Sequence, residues 1–256
     1  MSELPMSELP MSELSGNAVI LALESSADQA SAAILRAEGR HWQEVHAARH
    51  GHAAVVTELA RHVMEQAGVT AAALTHIAAG RGPGSFTGIR VALAAAKGFA
   101  LASGATGIGV SCLAAMAHAA RAGQPGLVGR RLLATADTRR GSYFCQIFDP
   151  ATASAPPIRD VGPDTGQEMP EDWQAAVVIG PGAAELAAAF PDCALARGPD
   201  MPPVDALQIA NLAAHCLQAG HPAEPVTPLY VAPAFLGPVS SGPVSSGPVS
   251  SNSGKS

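Results

Sequence analysis

Three groups of residues have the types and spacing to do chemistry. Glu24-Ser25-Ser26 closes one apolar run, and Asp137 closes another, RLLATAD at residues 131–137. Two carboxylates at the ends of strands facing each other across a cleft, with hydroxyls beside one of them, are what a Mg2+-nucleotide site requires. Ser25, Ser26 and Asp28 are equally the residues of an ordinary turn, and both readings stand at this point. The second group is GRGPGSFTGIR, residues 80–90, set between an apolar strand-like run and an alanine-rich one. The third is His46 and His50, four residues apart as in a helical metal site, with His52 and His62 nearby.

The glycine-rich stretch fails each phosphate or nucleophile motif at one position. No lysine follows Gly88 in the register of a phosphate-binding loop, and Lys97 is nine residues on. Pro83 stands where a nucleophile elbow around Ser85 needs glycine. Gly82, Gly84 and Gly88 have the wrong spacing for a dinucleotide fingerprint. What survives is a tight turn feeding a helix N-terminus, whose free N–H groups cap on Ser85 or Thr87 or bind an anion. Capping alone accounts for both hydroxyl residues there. His46 and His50 flank Ala47, Ala48 and Arg49 in a connection between a strand and Gly51, with no glutamate beside the first histidine, so a polar helix entry is the simpler reading.

These residues must be positioned by a chain of 256 residues, 48% hydrophobic and 14% charged, with formal net charge −6. That length supports one two-lobed domain or two small ones. A net-acidic chain makes no case of its own for holding a polyanion. Cys112, Cys145, Cys193 and Cys216 lie far apart without a C-x-x-C pair, which suits a reducing cytoplasm and implies no metal. No signal peptide and no uninterrupted apolar span are expected. The ends differ from the middle: MSELP, MSELP, MSEL opens the chain and GPVSS occurs three times from residue 237. Such repeats bury no core, so residues 1–16 and 237–256 read as tag-like or disordered tails.

Between the tails, residues 17–24, 30–36 and 41–47 read as three strands, with Gly39 at a turn, and residues 52–67 as a helix stopped by Gly68. Residues 74–80 read as a strand, 86–102 as a helix with Ile89, Leu93, Ala96 and Ala100 on one face, 106–110 as a strand and 111–121 as a helix capped by Ser111. The order β-β-β-α-β-α-β-α is that of a ribonuclease-H-like lobe over residues 17–120. Residues 121–236 read as a smaller α/β lobe: paired strands at 131–137 and 142–149, an exposed excursion at 150–172, a strand at 177–180, helices near 182–189 and 204–219, and an extended PLYVAP at 228–233.

ILALESSADQASAAIL, HGHAAVVTELARHVMEQAGV, GRGPGSFTGIRVALAAAKGFALASGATGIGVSCLAAMA, ATADTRRGSYF and PLYVAP, in order over residues 18 to about 234, resemble the bacterial TsaB (YeaZ) family. The resemblance implies an α/β, actin/Hsp70-like (ASKHA) fold of two lobes and a role in making N6-threonylcarbamoyladenosine at position 37 of tRNAs that read ANN codons. It implies a non-catalytic subunit required by TsaD, with TsaE and ATP in a larger complex, tRNA met only through that complex, and a homodimer when alone. It implies no cofactor on the chain itself, ATP and Mg2+ only at the complex level, and a cytoplasmic, non-membrane location. Glu24 stands where that family usually has Asp and is closer to TsaD. The H-x-x-x-H metal pair of TsaD is not matched, since SCLAAMAHAA carries His118 alone.

A lobe of this size does not bury every face of helices as apolar as 52–67 and 86–102. The resemblance implies that these two pair with their TsaD counterparts, and Val56, Leu59, Val63, Ile89, Arg90, Leu93 and Lys97 are the expected interface. The competing expectation is a nucleotide-binding or nucleotide-hydrolysing enzyme of the same fold using Glu24, Ser25 and Asp137, with Ser85 and Thr87 as further anion contacts.

Overall fold

The computed structural model describes residues 16–47, 52–152, 156–162 and 173–231. Both terminal repeats, His50 and most of the expected 150–172 excursion lie outside them.

The first sheet has strand order β3-β2-β1-β4-β5. β1 (Val19–Glu24), β2 (Gln29–Arg36) and β3 (His41–Ala47) form the antiparallel meander predicted from their turns, while β4 (His76–Gly80) and β5 (Thr106–Val110) run parallel to β1. β1 is almost wholly apolar because helices cover both faces of the sheet. Leu21 and Leu23 point to one side, where α1 (His52–Gln66) and α2 (Phe86–Ser103) pack. Ile20 and Ala22 point to the other, against α3 (Cys112–Gly123) and α5 (Ala206–Gln218). α2 is long and apolar enough to span a membrane by length and composition, yet Ile89, Ala92, Leu93 and Ala96 pack on the sheet.

The second sheet has order β10-β9-β6-β7-β8. β6 (Leu132–Asp137) and β7 (Tyr143–Phe148) are the expected antiparallel pair, flanked by β8 (Arg159–Val161), β9 (Val177–Ile179) and β10 (Ala196–Arg197). α4 (Ala183–Ala189) covers one face with Leu186 over Leu133 and Trp173. α3 covers the other, so that Leu113 and Met116 share a core with Leu132 and Ile179.

A division at residue 120 does not describe α5. This helix belongs to the second half of the chain but packs on β1, β2 and β4 of the first sheet and on α3. Its N-terminus is fixed by a reciprocal capping box between Asp205 and Gln208 and by the Ala206 N–H donating to Ser31 Oγ at 2.9 Å in β2. Ala206, Ala210, Ala213 and Ala214 give it a flat side that approaches the sheet closely. The chain therefore crosses between lobes twice, and the first lobe needs the C-terminal helix to seal its core.

Candidate functional site

The turn after β1 and the loop before α2 are built into each other. Glu24 is fully buried. Its Oε1 accepts from the Ser26 N–H and its Oε2 from the Cys112 thiol at 3.3 Å, and Ser26 Oγ lies 3.4 Å from the same sulfur. Burial raises the Glu24 carboxyl above the ordinary range, opposed by the Ser26 and Cys112 hydrogen bonds. Ser25, also fully buried, donates to Gly88 O at 2.7 Å, and the Ser85 N–H donates to Ser26 O at 2.7 Å. A Cβ at Gly80 would lie 1.6 Å from Glu24 Oε2, and one at Gly88 would lie 1.8 Å from Ser25 O. GRGPGSFTGIR is thus a socket for Glu24-Ser25-Ser26, and its glycines mark where two backbones touch.

This geometry corrects the proposed nucleotide ligands. Glu24 and Ser25 face the interior with their polar atoms already engaged, so neither can meet a metal or a phosphate without dismantling the turn. Ser85 is the cap of α2, accepting from Gly88 N at 3.3 Å, and Thr87 is exposed. Asp137 is exposed at the end of β6, where its Oδ1 accepts from Arg139 N at 2.6 Å and shapes the β6–β7 turn. Arg139, at a positive φ of 60°, reaches across to pair with Asp28 of the β1–β2 turn. The tips of the two hairpins are therefore joined by an ion pair between lobes.

The expected interface residues divide into two sets. Val56, Leu59, Val63, Ile89 and Leu93 are buried in the core shared with Leu23, Ile34 and Ile77, so they hold the lobe together and cannot be the contact surface. The reason is that a 3.6-residue apolar stripe marks the face that meets the sheet. Arg90 and Lys97 do point outward. They belong to a second stripe on α2 with Phe86, Ala94, Gly98 and Leu101; Phe86 is 43% and Leu101 89% exposed. α2 carries no acidic residue, and among the described residues neither Arg90 nor Lys97 has an acidic partner. The Arg90 guanidinium lies 3.8 Å over the Phe86 ring, and Arg90 donates to the Tyr230 hydroxyl at 3.1 and 3.3 Å. The outward face of α1 is polar instead, with Arg61 between Glu58 and Glu65.

Phe86, Leu101 and Tyr230 are the exposed members that sequence reasoning missed. Positions 86, 90, 94, 97 and 101 also recur at helical spacing, but every side of α2 is alanine-rich and the second stripe does not stand out. Between α3 and α5, the His118 and His215 rings lie 5.1 Å apart. Burial, then His215 and Arg121, lowers His118 to about 4, and burial lowers His215 as well. Among the described residues no three His, Cys, Asp or Glu side chains gather as a metal centre.

Comparison with known proteins is consistent with this architecture. Residues 45–146 match the family described as "TsaD: tRNA N6-adenosine threonylcarbamoyltransferase". A curated relative from Haemophilus influenzae, "tRNA threonylcarbamoyladenosine biosynthesis protein TsaB", is 36% identical over 105 residues, 41% of this chain and 44% of the relative. The Escherichia coli protein of the same description is 33% identical over 93 residues, 36% of this chain and 39% of the relative. The matched segment thus spans less than half the length of either curated relative. Among solved structures, "YeaZ from Pseudomonas aeruginosa" superposes with TM-score 0.65 at 26% identity, covering 83% of this chain and 99% of that one. A second Pseudomonas aeruginosa structure, described as an uncharacterized protein with similarity to peptidase YEAZ, has TM-score 0.67 at 23% identity over 84% of this chain and all of that one, and shows the fold. The two sheets and their helices are those of an actin/Hsp70-like (ASKHA) two-lobed fold.

Proposed function

We infer from its similarity to the TsaB proteins and to YeaZ that the chain is a member of the TsaB (YeaZ) family, and from that premise we propose that it is the non-catalytic partner subunit required by TsaD for threonylcarbamoyl transfer to adenosine 37 of tRNAs reading ANN codons. The observation that carries this reading is the outward stripe of α2. It exposes Phe86 and Leu101 beside two cations that have no acidic partner among the described residues, on a helix already anchored to its own sheet by the opposite face. An apolar stripe that also carries positive charge on a rigid element suits a protein partner.

The buried state of Glu24 and Ser25 supports a scaffold over an enzyme, because the groups that would meet Mg2+-nucleotide are committed to the socket. In this reading ATP enters with TsaE, tRNA is met only through the complex, the chain forms a homodimer when TsaD is absent, and it works in the cytoplasm. In this reading the equivalent helix pair of TsaD packs against α1 and α2. Reconstituted threonylcarbamoylation of tRNA with TsaD, TsaE and ATP tests the role. Transfer should depend on adding this chain, and equal transfer without it would overturn the reading.

A further inference from the structure

Residues 221–231 do not leave the molecule after α5. β5 is the edge of the first sheet, and the segment runs along it as a strap. Gly109 N donates to Glu224 O at 2.8 Å, Arg81 Nε to Thr227 O at 2.8 Å, and Leu229 N to Arg81 O at 2.9 Å, while Arg81 pairs with Glu224 at 3.0 Å. The close approach depends on Gly109, where a Cβ would lie 2.2 Å from Pro225 O. The strap ends by setting the Tyr230 ring 6.0 Å from Phe86, with Arg90 bonded to the tyrosine hydroxyl and stacked on the phenyl ring. Tyr230 stays 58% exposed. An ordered cluster of two aromatic rings and a guanidinium, left open to solvent at the end of an apolar helix face, has the composition of an interface anchor.

We propose that the strap is a working part of the partner surface: Tyr230, Phe86 and Arg90 form an anchor at the N-terminal end of the α2 face that receives a carboxylate-bearing helix of TsaD. The inference rests on the docking reading above and adds to it a specificity element from the far end of the chain. Charge complementarity selects the occupant. α2 presents Arg90 and Lys97 and no acid, so α2 of a second copy would bring two further cations, whereas a partner helix with carboxylates satisfies both. The strap orders Tyr230 before docking, which lowers the entropy cost of the anchor.

The test is the affinity of the full chain for TsaD, measured by biolayer interferometry at low and high salt, with thermal unfolding of each variant as a control on folding. Tyr230→Ala and Arg90→Glu should each weaken binding by about tenfold or more at unchanged unfolding temperature. Tyr230→Phe, which keeps the ring and loses the Arg90 hydrogen bond, should fall between. Arg90→Glu should also flatten the salt dependence. Leu101→Glu serves as the control for the docking face itself. If Leu101→Glu abolishes binding while Tyr230→Ala and Arg90→Glu bind as wild type, the anchor is overturned and the docking reading stands. If all three bind as wild type, both fall. If Tyr230→Ala weakens self-association and leaves TsaD binding intact, the occupant is a second copy and the inference is wrong.

Discussion

Ser25 and Gly88 lie 63 positions apart in the chain and share one space: the serine hydroxyl donates to Gly88 O at 2.7 Å, and Ser25 O stands 1.8 Å from where a Cβ at residue 88 would be. The β1–β2 turn and the first turn of α2 are one unit because of that contact, and the direction of the α2 face follows from it.

Gly88→Ala therefore tests whether the loop is a socket. The obstructing atom is backbone and cannot rotate away, so the variant should lose about 1–3 kcal/mol or more in urea unfolding. Ser25→Ala removes only a hydrogen bond and should lose about 1 kcal/mol. Equal stability of Gly88→Ala and wild type would show that the contact is not enforced.

Glu24 supplies a pH dependence of known sign. Burial holds its carboxyl above the ordinary value of 4.5 in the folded chain, so between 4.5 and the raised value the folded state binds more protons than the unfolded one. Stability from this group falls as pH rises through that window. Glu24→Gln should remove the fall and be at least as stable as wild type at neutral pH. A variant that loses stability at neutral pH while the wild type shows no such fall would mean that Glu24 is folded as an anion.

His118 acts in the opposite direction. Its folded value of about 4 lies below the ordinary 6.5, so its contribution is intact above 6.5 and is lost as pH falls toward 4. With His215 and Arg121 as its charged neighbours, His118→Leu should reduce the slope of unfolding free energy against pH in that window by about 1.4 kcal/mol per unit. An unchanged slope would mean that protonated His118 finds room without opening the α3–α5 contact.

Asp137 separates the scaffold from the enzyme. Its carboxylate caps its own turn and sits beside the Asp28–Arg139 pair, about half exposed and worth less than about 1 kcal/mol. Asp137→Ala should leave reconstituted tRNA threonylcarbamoylation at the wild-type rate, and calorimetry of the isolated chain with Mg2+-ATP should show no micromolar site. Loss of transfer together with loss of a measurable nucleotide site would restore the catalytic cleft.

Local pattern was enough for the first lobe's elements. The apolar run of β1, the stripe Val56-Leu59-Val63 and the cap at Ser85 each declare themselves within a few residues. Long-range consequences were not legible. The stripe reveals which side of a helix is apolar, but in an alanine-rich helix it does not reveal that Ile89 and Leu93 meet the sheet while Leu101 meets solvent. Glu24 reads as a ligand because carboxylates at strand ends are normally wet. Its burial comes from Gly80 and from Cys112, 88 residues away. α5 and Tyr230 return to the first lobe through contacts such as Ala206 with Ser31 and Arg90 with Tyr230, more than a hundred residues apart, which no window of sequence contains.

Leu93→Glu is no test of docking, because at 2% exposure it places a charge in the core and unfolds the lobe. Leu101→Glu changes a side chain that is 89% exposed and should fold as wild type. The direct measurement is its affinity for TsaD beside that of the wild-type chain. Docking through α2 predicts loss of about 2 kcal/mol or more of binding free energy, some thirtyfold or greater, with unfolding temperature unchanged; wild-type affinity for TsaD would contradict it.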